Sequence, residues 1–138
     1  MPGYGVIGQI FSQNGSKIVE EIKLNTTTYD TGYLFYGKHI TSLNNGGFVA
    51  IWDLFHNVGS GGIERTYKTY MQAFDGSGNK IGAENLLLES IVYQGKPNMA
   101  TNSDVVLGTL TNGNFIAVWR SLDNTYPYND EKLTGQVF

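Results

Sequence analysis

The sequence predicts an all-β protein made of antiparallel, four-stranded, blade-like repeats, with about two units in 138 residues. Three observations predict it. Apolar and β-branched runs of strand length recur along the chain, and no stretch combines a helical period with caps. Clusters of Gly, Asn and Ser separate those runs at short intervals. The chain also repeats itself, and an internal repeat decides an architecture before any local signal does.

The repeat is read from three matches. Phe11-Ser-Gln-Asn-Gly-Ser-Lys-Ile18 recurs as Phe74-Asp-Gly-Ser-Gly-Asn-Lys-Ile81, and both continue to a glutamate (Glu21, Glu84) and a leucine (Leu24, Leu87). Leu43-Asn-Asn-Gly-Gly-Phe-Val-Ala-Ile-Trp52 recurs as Leu110-Thr-Asn-Gly-Asn-Phe-Ile-Ala-Val-Trp119. A shorter motif occurs three times, as Gln9-Ile-Phe11, Gln72-Ala-Phe74 and Gln136-Val-Phe138. The two longer matches have nearly the same offset, so they belong to one repeating unit.

Each unit divides into four strand-like segments, types a to d. Type a is expected near 39–43 and 104–110, and type b at 48–52 and 115–119. Type c is expected near 4–11, 66–74 and 132–138, and type d near 20–25 and 84–89. The a–b links carry Asn45-Gly46 and Asn112-Gly113, which predict tight hairpins of type I′. The c–d links carry Asn14-Gly15 and Gly78-Asn79, again turn residues. The apolar stretch 83–91 aligns with the segment 20–25 and is read as a strand. In type b, Phe48, Ala50 and Trp52 alternate with Val49 and Ile51, so both faces are apolar and a sheet covered on both sides is expected. Four antiparallel strands stacked face to face describe propeller blades or a sandwich. The chain is expected to be one domain, with units at approximately 1–25 (partial), 38–89 and 104–138, the last lacking its final strand.

That count carries the functional expectation. In order the chain supplies c and d, then a, b, c and d, then a, b and c. Two units cannot close a propeller ring, which needs about four. The chain is expected to join copies of itself, to belong to a longer array, or to close as a sandwich. Unpaired edges are templates for another strand, so the residues expected to carry assembly lie on the terminal segments: Tyr4, Val6, Ile10, Phe11, Ile22, Leu24, Leu133, Val137 and Phe138.

Composition narrows the function classes. Charged residues make up 15% against about 25% in an average domain. With a net charge of −3 and no basic cluster, nucleic acid is not expected as a partner. With no cysteine, disulfides and thiolate metal sites are excluded. No apolar run has membrane-spanning length. Met1-Pro2-Gly3 lacks the regions of a signal peptide, so either a signal has been removed or the chain begins within a longer protein.

The patterns Leu-x-Asn-Gly-Gly-Phe-Val-Ala-Ile-Trp (43–52) and Tyr-x-Gln-x-Phe-Asp-x-x-Gly-Asn-x-x-Gly-x-Glu (70–84) resemble the tandem repeats of large bacterial secreted and surface adhesin-like proteins. The resemblance covers residues 8–138. It implies β-propeller-like blades, an extracellular or cell-surface location and a structural or adhesive role. Family arrays usually hold many units, whereas this chain holds about two. The Asp-rich loop expected after the tryptophan is poorly kept, at 53–56 and 120–123.

The remaining motifs favour packing and turns over catalysis. Trp52 and Trp119 are read as core rather than as sugar platforms, because their neighbours are apolar. Tyrosines placed in loops are the candidate carbohydrate-binding residues: Tyr29, Tyr33, Tyr36, Tyr93, Tyr126 and Tyr128. Asp75-Gly-Ser-Gly-Asn79 fails the EF-hand template and is read as a turn, while Asp123, Asp130 and Glu131 form only a loose acidic group; no metal or cofactor is expected. Gly3-Tyr-Gly-Val-Ile-Gly8 matches the dinucleotide fingerprint by letters, but no strand precedes it and no helix follows. His39 and His56 have no second histidine at ligand spacing, and no nucleophile elbow occurs. The expected function is therefore non-enzymatic: self-assembly by pairing edges or completing blades into a ring or filament. Carbohydrate binding by the tyrosines is the alternative.

Overall fold

The structure is a computed structural model and describes residues 5–29, 32–58, 64–93, 105–123 and 130–138. All regular structure among them is β-strand, and every pairing is antiparallel. The first sheet pairs β1 (Ile7–Gly8) with β2 (Ile22–Lys23). The second holds β3 (Tyr33–Ser42), β4 (Phe48–Val58), β5 (Glu64–Phe74) and β6 (Lys80–Tyr93) in sequential order. The third holds β7 (Val106–Thr109), β8 (Phe115–Asp123) and β9 (Asp130–Val137). The segment 83–91 lies within β6. The N-terminal strands are shorter than the expected 4–11 and 20–25, although a Leu24 N–H to Val6 O bond and a Phe11–Lys17 bridge extend their contact at both ends.

Four hairpin turns share one geometry. In 12–16, 43–47, 75–79 and 110–114, the first residue's N–H donates to the fifth residue's carbonyl, and the fourth residue's N–H donates back to the first carbonyl. The fourth residue is always glycine at nearly the same positive φ: Gly15 83°, Gly46 84°, Gly78 85° and Gly113 91°. This is a three-residue loop ending in a left-handed glycine, with the bulge that such loops create. The expected two-residue type I′ hairpin is therefore replaced by a longer one, because the pair closing each turn is offset by one residue. Asn14, Asn45 and Asn112 brace their turns by accepting the backbone N–H two residues on, at 3.0–3.1 Å.

Alternation along β4 splits the core in two. Ala50 and Trp52, with Phe74 of β5, face the first sheet and pack on Val6 and Leu24. Val49 and Ile51, with Met71, face the third sheet and pack on Phe115, Ala117 and Trp119. The four-stranded sheet is thus sandwiched between the two partial ones, with both tryptophans in the core. Phe48 stacks on Phe74 at 4.8 Å, and Phe115 stacks on Phe138 in the same way at 5.1 Å. A Cβ on Gly47 would stand 2.3 Å from the Phe74 carbonyl oxygen, so only glycine lets β4 begin this close to the end of β5.

Candidate functional site

The first and second sheets share a register once Phe11–Ile18 is aligned with Phe74–Ile81. Ile7 faces Lys23 as Tyr70 faces Leu86, Gly8 faces Ile22 as Met71 faces Asn85, and Phe11 faces Lys17 as Phe74 faces Lys80. Both pairings then break at the same place. Between Met71 and Ala73 the register shifts, and the Gln72 amide fills the gap by donating to the carbonyls of Ala73 (3.0 Å), Ile81 (3.0 Å) and Gly82 (3.3 Å). Gln9 does the same, donating to Ile10 O at 3.3 Å and Val19 O at 2.5 Å. A glutamine on each of these type c strands thus clamps the segment leading into type d. Replacing lost ladder bonds with side-chain donors keeps the interrupted backbone satisfied.

The third member of the set, Gln136 on β9, is exposed. Among the described residues, β9 pairs only with β8, so its outer edge carries no type d strand. The outer face of the third sheet is also uncovered. Val106 (61% exposed), Leu133 (81%) and Val137 (54%) share it with the partly buried Ile116 and Val118, whose equivalents Val49 and Ile51 are buried.

At the opposite end the complementary gap appears. Beside β1, where strands of types a and b would stand, an apolar cleft of about 390 Å³ opens between the first sheet and the β3–β4 hairpin at the edge of the second. Its lining includes Gly8, Ile10, Phe11, Ile22, Ile40 and Phe48. Ile40 is 66% exposed there, whereas its equivalent Leu107 packs into the core between the second and third sheets.

The expected assembly residues divide accordingly. Val6 and Leu24 are buried within the chain, and Ile22 and Phe138 pack against the core clusters. Phe11, Leu133 and Val137 are exposed, and Ile10 lines the cleft. Tyr4 lies outside the described residues. Sequence reasoning missed Ile40, Val106, Ile116 and Val118. Comparing the burial of equivalent positions in the two copies of the a–b hairpin finds Ile40, Ile116 and Val118.

Three of the tyrosines expected in loops lie in strands. Tyr33 and Tyr36 lie in β3 and Tyr93 ends β6, because β3 and β6 extend beyond the stacked part of the sheet. Tyr29 is buried, and burial raises its phenol well above the ordinary value. Tyr126 and Tyr128 lie outside the described residues. Tyr29 and Tyr33 meet at 5.1 Å, and Tyr33 stacks on His56 of β4 at 4.0 Å. Tyr33, Leu54, His56, Thr66, Lys68 and Glu89 line a cleft of about 320 Å³. The Lys68–Glu89 ion pair at 3.0 Å raises the Lys68 ammonium through that hydrogen bond. Aromatic surface beside paired charged groups suits a polar ring-shaped ligand.

Among the described residues, no three His, Asp or Glu side chains gather as a metal site. Asp75 accepts the N–H groups of Ser77 and Asn79 and the Asn79 amide, each at 2.9 Å, so its carboxylate is engaged in the turn itself. Among the described residues no helix is long and apolar enough to cross a membrane. Compared with protein-family models, with curated protein sequences and with solved structures, the chain has no match.

Proposed function

We propose that this protein is a non-enzymatic assembly module whose copies join by completing each other's sheets. The observation that carries the reading is the third sheet. It repeats the sequence and strand order of the second as far as the third strand, yet among the described residues it leaves bare both the edge and the apolar face that are covered in the second. A bare strand edge next to exposed apolar surface favours association, since the backbone supplies register and the side chains supply hydrophobic contact. The surfaces at the two ends differ, so joining is head to tail and generates a ring or a filament. The resemblance to tandem surface-protein repeats supports an extracellular or cell-surface setting with an adhesive or scaffolding role. Solution mass by light scattering, with negative-stain imaging, tests the reading. Rings or filaments that form as concentration rises are expected, and a single chain at every concentration overturns it.

A second reading is carbohydrate binding in the Tyr33–His56 cleft, favoured by its stacked aromatic pair and the neighbouring Lys68–Glu89 pair. Glycan-array binding that Tyr33→Ala abolishes without unfolding the chain is its expected signature.

A further inference from the structure

We infer that copies join by strand exchange: β9 of one copy, carrying β7 and β8 with it, displaces β1 from β2 of the next copy. This rests on the assembly reading above and adds which strand leaves, which replaces it and in what register.

The chain carries a redundancy. The two end sheets together hold a, b, c and c, d, so one type c strand is surplus to a four-stranded sheet. The two surplus type c segments carry the same motif, Gln9-Ile-Phe11 directly after β1 and Gln136-Val-Phe138 at the end of β9. Gln9 already clamps the segment leading into β2, while Gln136 is exposed and, among the described residues, has no such segment beside it. If β9 replaces β1, then β7, β8, β9 and the next copy's β2 reproduce the order of β3, β4, β5 and β6. The register follows from the two pairings already present. Thr134 faces Lys23 of the next copy, Gly135 faces its Ile22, and Phe138 faces its Lys17, as Tyr70, Met71 and Phe74 face Leu86, Asn85 and Lys80.

The faces agree with the edges. An incoming third sheet brings the bare Val106, Ile116, Val118 and Val137 side against the next copy's second sheet. That is the side which, on the second sheet, contacts Phe115, Ala117 and Trp119. The receiving face carries Phe48, Ala50 and Trp52, the equivalents of those three residues. β7 and β8 enter the cleft beside β1 and cover Ile40, as the second sheet covers Leu107. The cleft continues the interface that the first sheet already makes with Trp52 and Phe74, and that continuity identifies the occupant as a second copy of this chain. The resident strand has a short ladder. It joins Ile7 to Lys23 and Gly8 to Ile22, with single bonds from Leu24 N–H to Val6 O, Val6 N–H to Asn25 Oδ1 and Ile18 N–H to Ile10 O around it, against a β5–β6 pairing that runs from Glu64 to Phe74. Exchange of equivalent strands between copies is a low-cost route to assembly because the incoming strand repeats contacts the outgoing one made.

The experiment holds β1 in place by a removable bond. Ile7 and Lys23 are exposed Cα partners across β1 and β2, a spacing that fits a disulfide, and the chain has no cysteine of its own. In the full chain carrying Ile7→Cys and Lys23→Cys, oxidation is expected to reduce the solution mass to that of a single chain, and reductant to restore assembly. Equal assembly in oxidised and reduced samples, with the unaltered chain assembling, overturns strand exchange but leaves sheet completion standing. An unaltered chain that stays single at every concentration overturns both. A second pair of full-length variants, Thr134→Cys and Lys23→Cys, is mixed in equal amounts and oxidised. A disulfide between the two proteins is expected, and its absence while both assemble overturns the proposed register.

Discussion

The second and third sheets carry nearly the same strand, Phe-Val-Ala-Ile-Trp in one and Phe-Ile-Ala-Val-Trp in the other, yet it meets different surroundings. In β4 the valine, alanine, isoleucine and tryptophan are buried, on both faces, and the phenylalanine partly so, whereas in β8 the phenylalanine, alanine and tryptophan are buried and the isoleucine and valine are only partly so. The hydrophobic pattern encodes a strand covered on both sides in each case. What differs, among the described residues, is the cover: β8 lies in a three-stranded sheet whose isoleucine–valine face is open, and under the proposed assembly a second copy supplies what is missing. Substitutions at equivalent positions separate the two environments, because the chemistry removed is the same and only the cover differs.

The largest effect is expected at Trp52. It is fully buried between the first and second sheets, and Trp52→Ala should lower the unfolding free energy by about 3–5 kcal/mol, the usual range for a core tryptophan. Trp119→Ala should cost less, because among the described residues its sheet has three strands and one uncovered face. Denaturant unfolding at a concentration below assembly measures both. Equal losses would break the comparison by showing that the third sheet is as firmly held as the second.

Next comes the pair that faces outward from the tryptophans. Ile51→Ala removes a buried side chain and should cost about 2–5 kcal/mol. Val118→Ala, at the equivalent position, removes a smaller and partly exposed one, and should cost under about 1 kcal/mol in the single chain. Repeating the measurement for Val118→Ala where copies associate should raise its cost, since the uncovered face becomes an interface. A cost independent of concentration would remove that face from the contact.

Much of this comparison was legible in the sequence, and the part that was not has a physical cause. The all-β class, the antiparallel hairpins and the core tryptophans follow from alternation and turn residues, which are local. The turn type at Asn45-Gly46 differs from the expected one because a two-residue and a three-residue loop use the same left-handed glycine, and only the offset of the closing pair distinguishes them. The tyrosines escape for a different reason. Tyr33 and Tyr36 extend β3 well before its apolar segment at 39–43, so polar and aromatic residues there read as loop until the partner strand β4 is seen to run as far as Val58. The glutamine clamp was visible as a thrice-repeated letter, but its role was not, since a side chain bonding to carbonyls across a register shift leaves no periodic trace.

That clamp makes a finer comparison. Gln72 is fully buried and its amide donates to three carbonyls, so Gln72→Ala should cost about 1–3 kcal/mol by leaving buried acceptors unpaired. Gln136→Ala should change the stability of the single chain by less than about 0.5 kcal/mol, as an exposed substitution does, and should instead weaken assembly. Unfolding curves and light scattering on the same samples separate the two outcomes. Loss of stability without loss of assembly in Gln136→Ala would contradict its role as a clamp between copies.

The smallest effect concerns the turns, where the two sheets ought to agree except in their response to acid. Turn 110–114 is braced by the neutral amide of Asn112, and turn 75–79 by the carboxylate of Asp75. The hydrogen bond from the Asn79 side chain, joined by backbone N–H groups, holds the Asp75 carboxyl below its ordinary value. A depressed folded value means that the contribution is fully present above the unfolded value of about 3.9, and is lost as pH falls through the folded one. Acid should therefore loosen turn 75–79 and leave turn 110–114 untouched. Because Asp75 is exposed, the change should be local: its carboxyl signal should titrate below the value of a free aspartate, and the amide protons of Ser77 and Asn79 should exchange faster below that point. In Asp75→Asn the acid-dependent loosening should disappear. An ordinary titration midpoint for Asp75 would mean that the carboxylate does not hold the turn, and that the glycine at its fourth position is enough, as the same geometry in all four turns would then require.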